Sequence, residues 1–261
     1  MQTILDKIVT DKRLEVAVLK KEKPLNIVRD EIACLLPVES RFAERIKKQG
    51  SINCIAEIKR RSPSNGLLRQ SFNPVEIART YQDLGCAAIS VLTETKYFDG
   101  NPLYLKQVKK TVTLPLLRKD FIIDEYQIYE AVLLDAEAIL LIVHILEQEI
   151  LANFIKVAAQ LGLDSLVEVH SADELHRALD AGAGIIGVNN RNLETFHTDV
   201  EYSIQFADII PGHCLRVSES GIKTYEDIKK IDAAGYDAVL IGEQFMRSPD
   251  IPATYHSLFA L

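Results

Sequence analysis

The 261 residues carry a formal net charge of −7, and 48% of them are hydrophobic against 26% charged. That balance belongs to a folded globular chain, and the acidic excess argues against nucleic acid or an anionic membrane as the main partner. A chain of this length buries enough surface to hold a core without disulfides. Its four cysteines, Cys34, Cys54, Cys86 and Cys214, form no Cys-x-x-Cys pair, so they read as reduced and mostly buried in an intracellular, cytoplasmic protein.

Met1-Gln2-Thr3-Ile4-Leu5-Asp6-Lys7 has an early acid and no long apolar core, which does not suit a secretory leader. Ile4, Ile8, Val16 and Leu19 recur at helical spacing among charged residues, and Pro24 and Pro37 interrupt the segment. One or two amphipathic helices are expected there. Lys20-Lys21-Glu22-Lys23 reads as a solvated face, because an acid interrupts it.

From Ser51 a second rhythm begins. Asn73-Pro74-Val75-Glu76 opens a helix with Asn as cap and Pro in the first turn; Ile77, Ala78, Tyr81 and Leu84 share its face, and Gly85 stops it. Ser171-Ala172-Asp173-Glu174 reads as a capping box ahead of Leu175, Ala178 and Leu179, with Gly182 at the end. Thr224-Tyr225-Glu226-Asp227 opens a third such helix, closed by Gly235.

After each stopping glycine comes an unbroken apolar run: Ala87–Leu92, Ile185–Val188 and Ala238–Ile241. Runs that do not alternate suit strands covered on both faces, as in a parallel sheet. The order helix, glycine, strand is thus an internal repeat. Completing it predicts strands at Cys54–Lys59, Ala87–Leu92, Pro115–Arg118, Ala138–Val143, Ser165–Val169, Ile185–Val188, Leu215–Ser218 and Ala238–Ile241. Eight units in roughly 210 residues suit a (β/α)8 barrel of the α/β class, with an open doubly wound sheet as runner-up. The longest apolar run, Ala138 to Val143, is far short of the roughly 18 residues a membrane span needs.

Such barrels place their chemistry at the C-terminal strand ends. Those ends carry Glu57 and Lys59, Lys119 and Asp120, Glu168, Asn189 and Arg191, then Ser218-Glu219-Ser220-Gly221 and Gly242-Glu243. Any one of these reads as easily as a loop charge. Two lysines and two glutamates at one mouth favour proton transfer and anion binding. Glycines after the last two strands suit a phosphate cup, where backbone N–H groups approach closely.

Three other patterns lead nowhere. Gly182-Ala183-Gly184-Ile185-Ile186-Gly187 matches the dinucleotide fingerprint, but it follows a helix and opens a strand. The histidines show no metal-ligand spacing. Lys59-Arg60-Arg61 lacks the interleaved aromatics of a nucleic-acid patch.

Ile55-Ala56-Glu57-Ile58-Lys59-Arg60-Arg61-Ser62-Pro63-Ser64 resembles the signature of the indole-3-glycerol-phosphate synthases. Val91-Leu92-Thr93-Glu94, Lys96-Tyr97-Phe98, Leu117-Arg118-Lys119-Asp120-Phe121, Leu166-Val167-Glu168-Val169-His170, Gly187-Val188-Asn189-Asn190-Arg191-Asn192-Leu193 and Ser218-Glu219-Ser220-Gly221-Ile222 follow in the family's order. The likeness covers about the whole chain. It departs at Gln244-Phe245, where the family more often has a small residue and Leu before Met.

The resemblance implies a lyase of tryptophan biosynthesis that uses neither metal nor cofactor. Such enzymes convert 1-(2-carboxyphenylamino)-1-deoxyribulose 5-phosphate to indole-3-glycerol phosphate, carbon dioxide and water. It implies Lys119 as general acid toward the ribulose carbonyl, Glu168 as base in the dehydration, and Lys59 on the substrate carboxylate. Glu57 would orient the lysines or shuttle protons, with Asn189 and Ser220 completing the catalytic set. Substrate contacts would come from Ser62, Arg191 and Glu219, with Asn189 and Arg191 at the anthranilate end and Phe98, Phe121 and Leu193 walling the ring. Ser220, Gly221, Gly242 and Glu243 would hold the phosphate.

Residues 1–261 are expected to form one barrel domain, with residues 1–50 as a helical extension that covers the site as a lid or clamp. The expected partner is a small phosphorylated molecule, without nucleic acid or membrane. The expected state is a monomer, with a weak dimer as the alternative. The rival functions are a sister phosphate-binding barrel such as phosphoribosylanthranilate isomerase, and a non-catalytic phosphate-ligand binder.

Overall fold

The computed structural model describes residues 3–35, 39–192 and 197–260. Pro37 and Leu193, both used above, lie outside the described residues. Eight parallel strands close into a barrel: Asn53–Ile58 (β1), Ala88–Leu92 (β2), Leu116–Lys119 (β3), Ala138–Ile142 (β4), Asp164–Val169 (β5), Ile185–Asn189 (β6), Leu215–Glu219 (β7) and Ala238–Ile241 (β8). Each strand pairs with the next, and β8 returns to β1 in a register from Asn53 opposite Ala238 to Ala56 opposite Ile241. That closure rules out the open sheet. Every strand lies within one residue of its expected bounds. Every residue of β2, β4 and β8 is buried, which is why their sequences do not alternate.

Strand parity connects core to site. Ile55, Leu117, Leu166 and Val217 belong to the cluster filling the barrel interior. Two residues further on, and therefore on the same inward face, stand Glu57, Lys119, Glu168 and Glu219. The interior is thus apolar below and ionic at the C-terminal rim.

Three helices precede the barrel, Ile4–Glu22 (α1), Leu25–Ala33 (α2) and Phe42–Ile46 (α3), where the periodicity predicted one or two. Five residues are too few for α3 to show a period. It plugs the N-terminal end of the barrel: Phe42 and Ile46 are fully buried in the interior cluster. Asp164 at the start of β5 accepts from the Ser40 hydroxyl (2.5 Å) and the Ala43 N–H (3.0 Å), which fixes the helix there.

Helix α1 starts on a capping box in which Thr3 and Asp6 each accept from the other's N–H. It crosses the opposite rim. The ammonium of Lys12 is 2% exposed and lies 3.0 Å from Asp120 and 2.8 Å from Glu15. Asp120 also accepts from the Thr93 hydroxyl at 2.6 Å and lies 3.3 Å from Arg118, which reaches Glu130 at 2.7 Å. Further along α1, Asp11 meets Lys96 (2.7 Å) and Tyr97, and Lys20 meets Asp124 (2.9 Å). The charges of the helical segment therefore pair with the barrel as well as facing water.

Two other local expectations divide. Thr224 and Asp227 form a full capping box. At Ser171 only half of one forms: its hydroxyl accepts from the Glu174 N–H (3.2 Å), while the Glu174 carboxylate turns to the His170 N–H at 2.8 Å. The His144 ring, 2.9 Å from the other carboxylate oxygen, helps hold it there. Among the described residues no helix is long and apolar enough to cross a membrane.

Removing one member of a buried ion pair leaves the other without its charge partner. Asp120 keeps Arg118 and Thr93, so Lys12→Met should cost on the order of 2 kcal/mol, seen as a lower urea midpoint. A change below about 0.5 kcal/mol would show that α1 is anchored elsewhere.

Candidate active site

Most of the expected site residues gather at the C-terminal rim, around a cavity of two lobes. The larger lobe, about 300 Å³, is lined by Thr198, Ser220, Gly221, Ile222, Gly242 and Glu243. The smaller, about 160 Å³, is lined by Ile4, Leu5 and Ile8 of α1 with Ser62, Pro63, Phe98, Phe121, Leu140, Glu168 and Asn189. Glu57, Lys59, Ser64, Lys119, Arg191 and Ser220 border both. One lobe is polar and rich in backbone; the other is apolar and aromatic, with the Phe98 and Phe121 centroids 6.1 Å apart.

Lys119 is the hub between them. Its ammonium lies 3.5 Å from Glu168 and 3.3 Å from Glu219, and Lys59 pairs with Glu57 alongside. Asn189 donates to Glu168 at 3.1 Å, and its own oxygen accepts from the Arg191 N–H at 3.0 Å. Glycines make the room. A Cβ on Gly242 would stand 2.2 Å from a Glu57 carboxylate oxygen, and one on Gly187 would stand 2.3 Å from a Glu219 oxygen. Neither position tolerates a side chain while those carboxylates stay in place.

Three buried carboxylates thus face two ammoniums, and the titrations reflect the imbalance. Burial alone would raise the Glu57 carboxyl; Lys59 and Lys119 outweigh it and hold the group below its usual range. Burial alone would lower the Lys119 ammonium; Glu219, Glu168 and Glu57 reverse that and hold it well above its usual range. Glu219 carries the excess. Burial pushes it up, Lys119 compensates only in part, and it titrates at about 7.

The polar lobe has its own support. Ser220 and Gly221 both adopt positive φ, 68° and 77°. For a serine this is an unusual conformation, and such outliers concentrate at ligand sites. Asn190, which is fully buried, holds the turn: it donates to the Ser220 carbonyl (3.1 Å) and the Ser218 hydroxyl (2.9 Å) and accepts from Ser203. Glu243 does not face the lobe as a free charge. Its carboxylate takes Arg191 at 3.2 Å, Asn65 at 3.0 Å and Arg247 at 3.0 Å, and Arg191 also donates to Ser64 at 2.6 Å.

A family model described as indole-3-glycerol phosphate synthase matches residues 5–258. The chain belongs to that family. Synthases of that name from Ruminiclostridium cellulolyticum and Chlorobium chlorochromatii are 47% and 49% identical to it. The alignments cover 96% of this chain and 96% of the first relative, then 92% and 94% for the second. One from Legionella pneumophila is 46% identical over 96% of both chains. Among solved structures, a 3-hexulose-6-phosphate synthase superposes with a TM-score of 0.64 at 15% identity, covering 80% of this chain and 99% of that one. A thiamine phosphate pyrophosphorylase from Pyrococcus furiosus gives 0.59 at 16%, covering 79% and 93%. At such identity these two show the fold alone.

Against the residues that the synthase resemblance named, the rim brings together Glu57, Lys59, Lys119, Glu168, Asn189, Arg191, Glu219 and Ser220. Sequence reasoning counted two glutamates in the charge cluster; Glu219, assigned only a substrate contact, is a third. Its parity with Val217 was the available signal. Asn190 was missed because a buried Asn beside Asn189 looks like any turn residue. Ile4 and Ile8 were legible as part of an apolar stripe and Leu5 was not, and periodicity does not say what a stripe packs on. Among the described residues no group of three or more His, Cys, Asp or Glu could hold a metal ion.

Glu219 supplies a pH test. Its folded-state value lies above the ordinary glutamate value of 4.5, so folding takes up a proton at this position across about pH 4.5 to 7 and stability falls as pH rises through that window. Glu219→Gln removes the loss. Its gain in melting temperature over wild type should be larger at pH 8 than at pH 5. An offset equal at both pH values would assign the titration to another group.

Proposed function

We propose that this rim closes an indole ring: it converts 1-(2-carboxyphenylamino)-1-deoxyribulose 5-phosphate to indole-3-glycerol phosphate, carbon dioxide and water. The observation that carries the reading is the Lys119 ammonium, set between an aromatic lobe and a backbone-lined lobe with three carboxylates in reach. Family membership names the reaction; the two lobes suit a substrate with an aryl acid at one end and a phosphate at the other.

The anthranilate ring fits between Phe98 and Phe121, under Ile4, Leu5 and Ile8 of α1. Lys59 and Arg191 are the cations for its carboxylate, and Arg191 borders both lobes. The phosphate fits against the left-handed turn of Ser220 and Gly221 and against Gly242, where N–H groups approach without a side chain between.

Attack by the ring carbon on the ribulose carbonyl develops negative charge on oxygen. Lys119 meets it as a full positive charge, because its carboxylates hold it protonated, and then delivers a proton. The anilino nitrogen takes up positive charge as the ring attacks and draws in the electrons freed when carbon dioxide leaves. Dehydration removes one proton from the carbon beside nitrogen, the task of Glu168, while the former carbonyl oxygen departs as water. Asn189 keeps the Glu168 carboxylate oriented. Glu57 fixes Lys59, and Glu219, titrating near neutrality, buffers the charge of Lys119. The helical segment acts as a clamp, with one face lining the aryl lobe and Lys12 tied to Asp120.

Adding the carboxyphenylamino substrate to the purified chain should produce the fluorescence of the indole product, with the same rate in a chelator. Absence of that product would overturn the reading. Lys119→Met should lower turnover by roughly 100-fold or more, the scale of losing a general acid. Near-normal turnover in that variant would remove Lys119 from the chemistry.

A further inference from the structure

The reaction proposed above takes up one proton per turnover. The carbonyl oxygen leaves as water and receives two protons, one proton comes off carbon, and the carboxylate departs as carbon dioxide. Glu168 can return the carbon's proton to Lys119 across 3.5 Å. The second proton must come from solvent. Lys119 and Glu168 are only 15% and 4% exposed, and a substrate filling both lobes would cover them further.

Another route lies behind Glu168. Its second oxygen is 3.3 Å from Nε2 of His170. Nδ1 of His170 is 3.4 Å from Glu174, whose other oxygen is 2.9 Å from Nδ1 of His144. The His144 side chain is 58% exposed. A continuous line of titratable groups therefore runs from Lys119 to water in steps of 2.9 to 3.5 Å. His144, His170 and Glu174 also border a third cavity, of about 320 Å³. The ring nitrogens of His170 stand at ion-pair distance from these carboxylates without hydrogen-bond alignment.

Helix capping would place the Glu174 carboxylate on the Ser171 N–H; it accepts from the His170 backbone N–H at 2.8 Å instead, with the His144 ring at 2.9 Å and the His170 ring at 3.4 Å. The groups facing His170 are Glu168 from β5, Glu174 from the helix that follows it and, further off, Glu219 from β7. Burial disfavours the imidazolium, but these carboxylates outweigh it and hold His170 above its usual range. Glu174 stays ionised, held at about 2: burial opposes this, and His170 and His144 override it.

We propose that His170, positioned by Glu174 and His144, is the group through which Glu168 exchanges protons with solvent. The inference rests on Glu168 being the base of the reaction. In the inward direction the His170 imidazolium gives its Nε2 proton to Glu168, and Glu168 gives a proton to Lys119. Both ring nitrogens are buried as placed, so the neutral ring regains its proton from solvent by turning out toward the third cavity, which it borders. Glu174 remains a carboxylate throughout, and no bond to carbon changes.

The test is single-turnover kinetics with His170→Gln, Glu174→Gln and Glu168→Gln beside wild type. His170→Gln should slow the chemical step at least about tenfold, less than loss of the base itself, with substrate Kd unchanged. Added imidazole should restore that rate and should leave wild type unaffected. Glu174→Gln, which retains the ring, should move the limb of the pH–rate profile set by His170 to lower pH; this variant carries the test if His170→Gln folds poorly by circular dichroism. A wild-type rate in His170→Gln, a loss that imidazole does not restore, or an unmoved profile in Glu174→Gln would overturn the relay while leaving Glu168 as the base. Full activity in Glu168→Gln would overturn the assignment of Glu168, and the relay with it.

Discussion

The arrangement at the rim depends on one ammonium held where water scarcely reaches. An isolated charge in that place would neutralise itself, since desolvating it costs several kcal/mol. Lys119 stays charged because Glu168, Glu219 and Glu57 surround it. The barrel makes this possible by geometry. Alternate strands of the closed barrel, β1, β3, β5 and β7, bring inward residues near their C-terminal ends to one level, so side chains distant in sequence share a few ångströms. Gly187 and Gly242 open the volume the carboxylates occupy.

The excess of carboxylates has a consequence for both stability and chemistry. With all five groups ionised the cluster is net negative, and the strain is relieved by a proton on Glu219 near neutral pH. Sites that trade protons with a substrate need a group whose affinity matches the working pH. The same mismatch weakens the fold as pH rises. This is the usual tension between a poised site and a relaxed one.

The helical segment completes the cavity. Its apolar stripe lines the aryl lobe, and its charged face is tied to the barrel through Lys12 and Asp120 and through Asp11 and Lys96. The loops close the other side, where Arg191, Glu243, Ser64 and Asn65 link three strand ends. Glu243, for which the local pattern assigned a phosphate contact, is engaged by two arginines and an amide.

Much of this was legible in one dimension. Unbroken apolar runs, stopping glycines and N-caps marked eight βα units, because covered strands and helix ends impose those residue types locally. Once the units were counted, the strand-end polar residues pointed to the rim, and the motif from Ile55 to Ser64 pointed to the family. Pairing is another matter. That Glu174 turns from its helix cap to the His170 N–H and the His144 ring, that Lys12 reaches down to Asp120, and that Glu219 joins Lys119 as a third carboxylate are facts of through-space distance. So is the plugging of the barrel floor by α3. Spacing along a chain fixes which face a side chain takes, and only the closed barrel decides which faces meet.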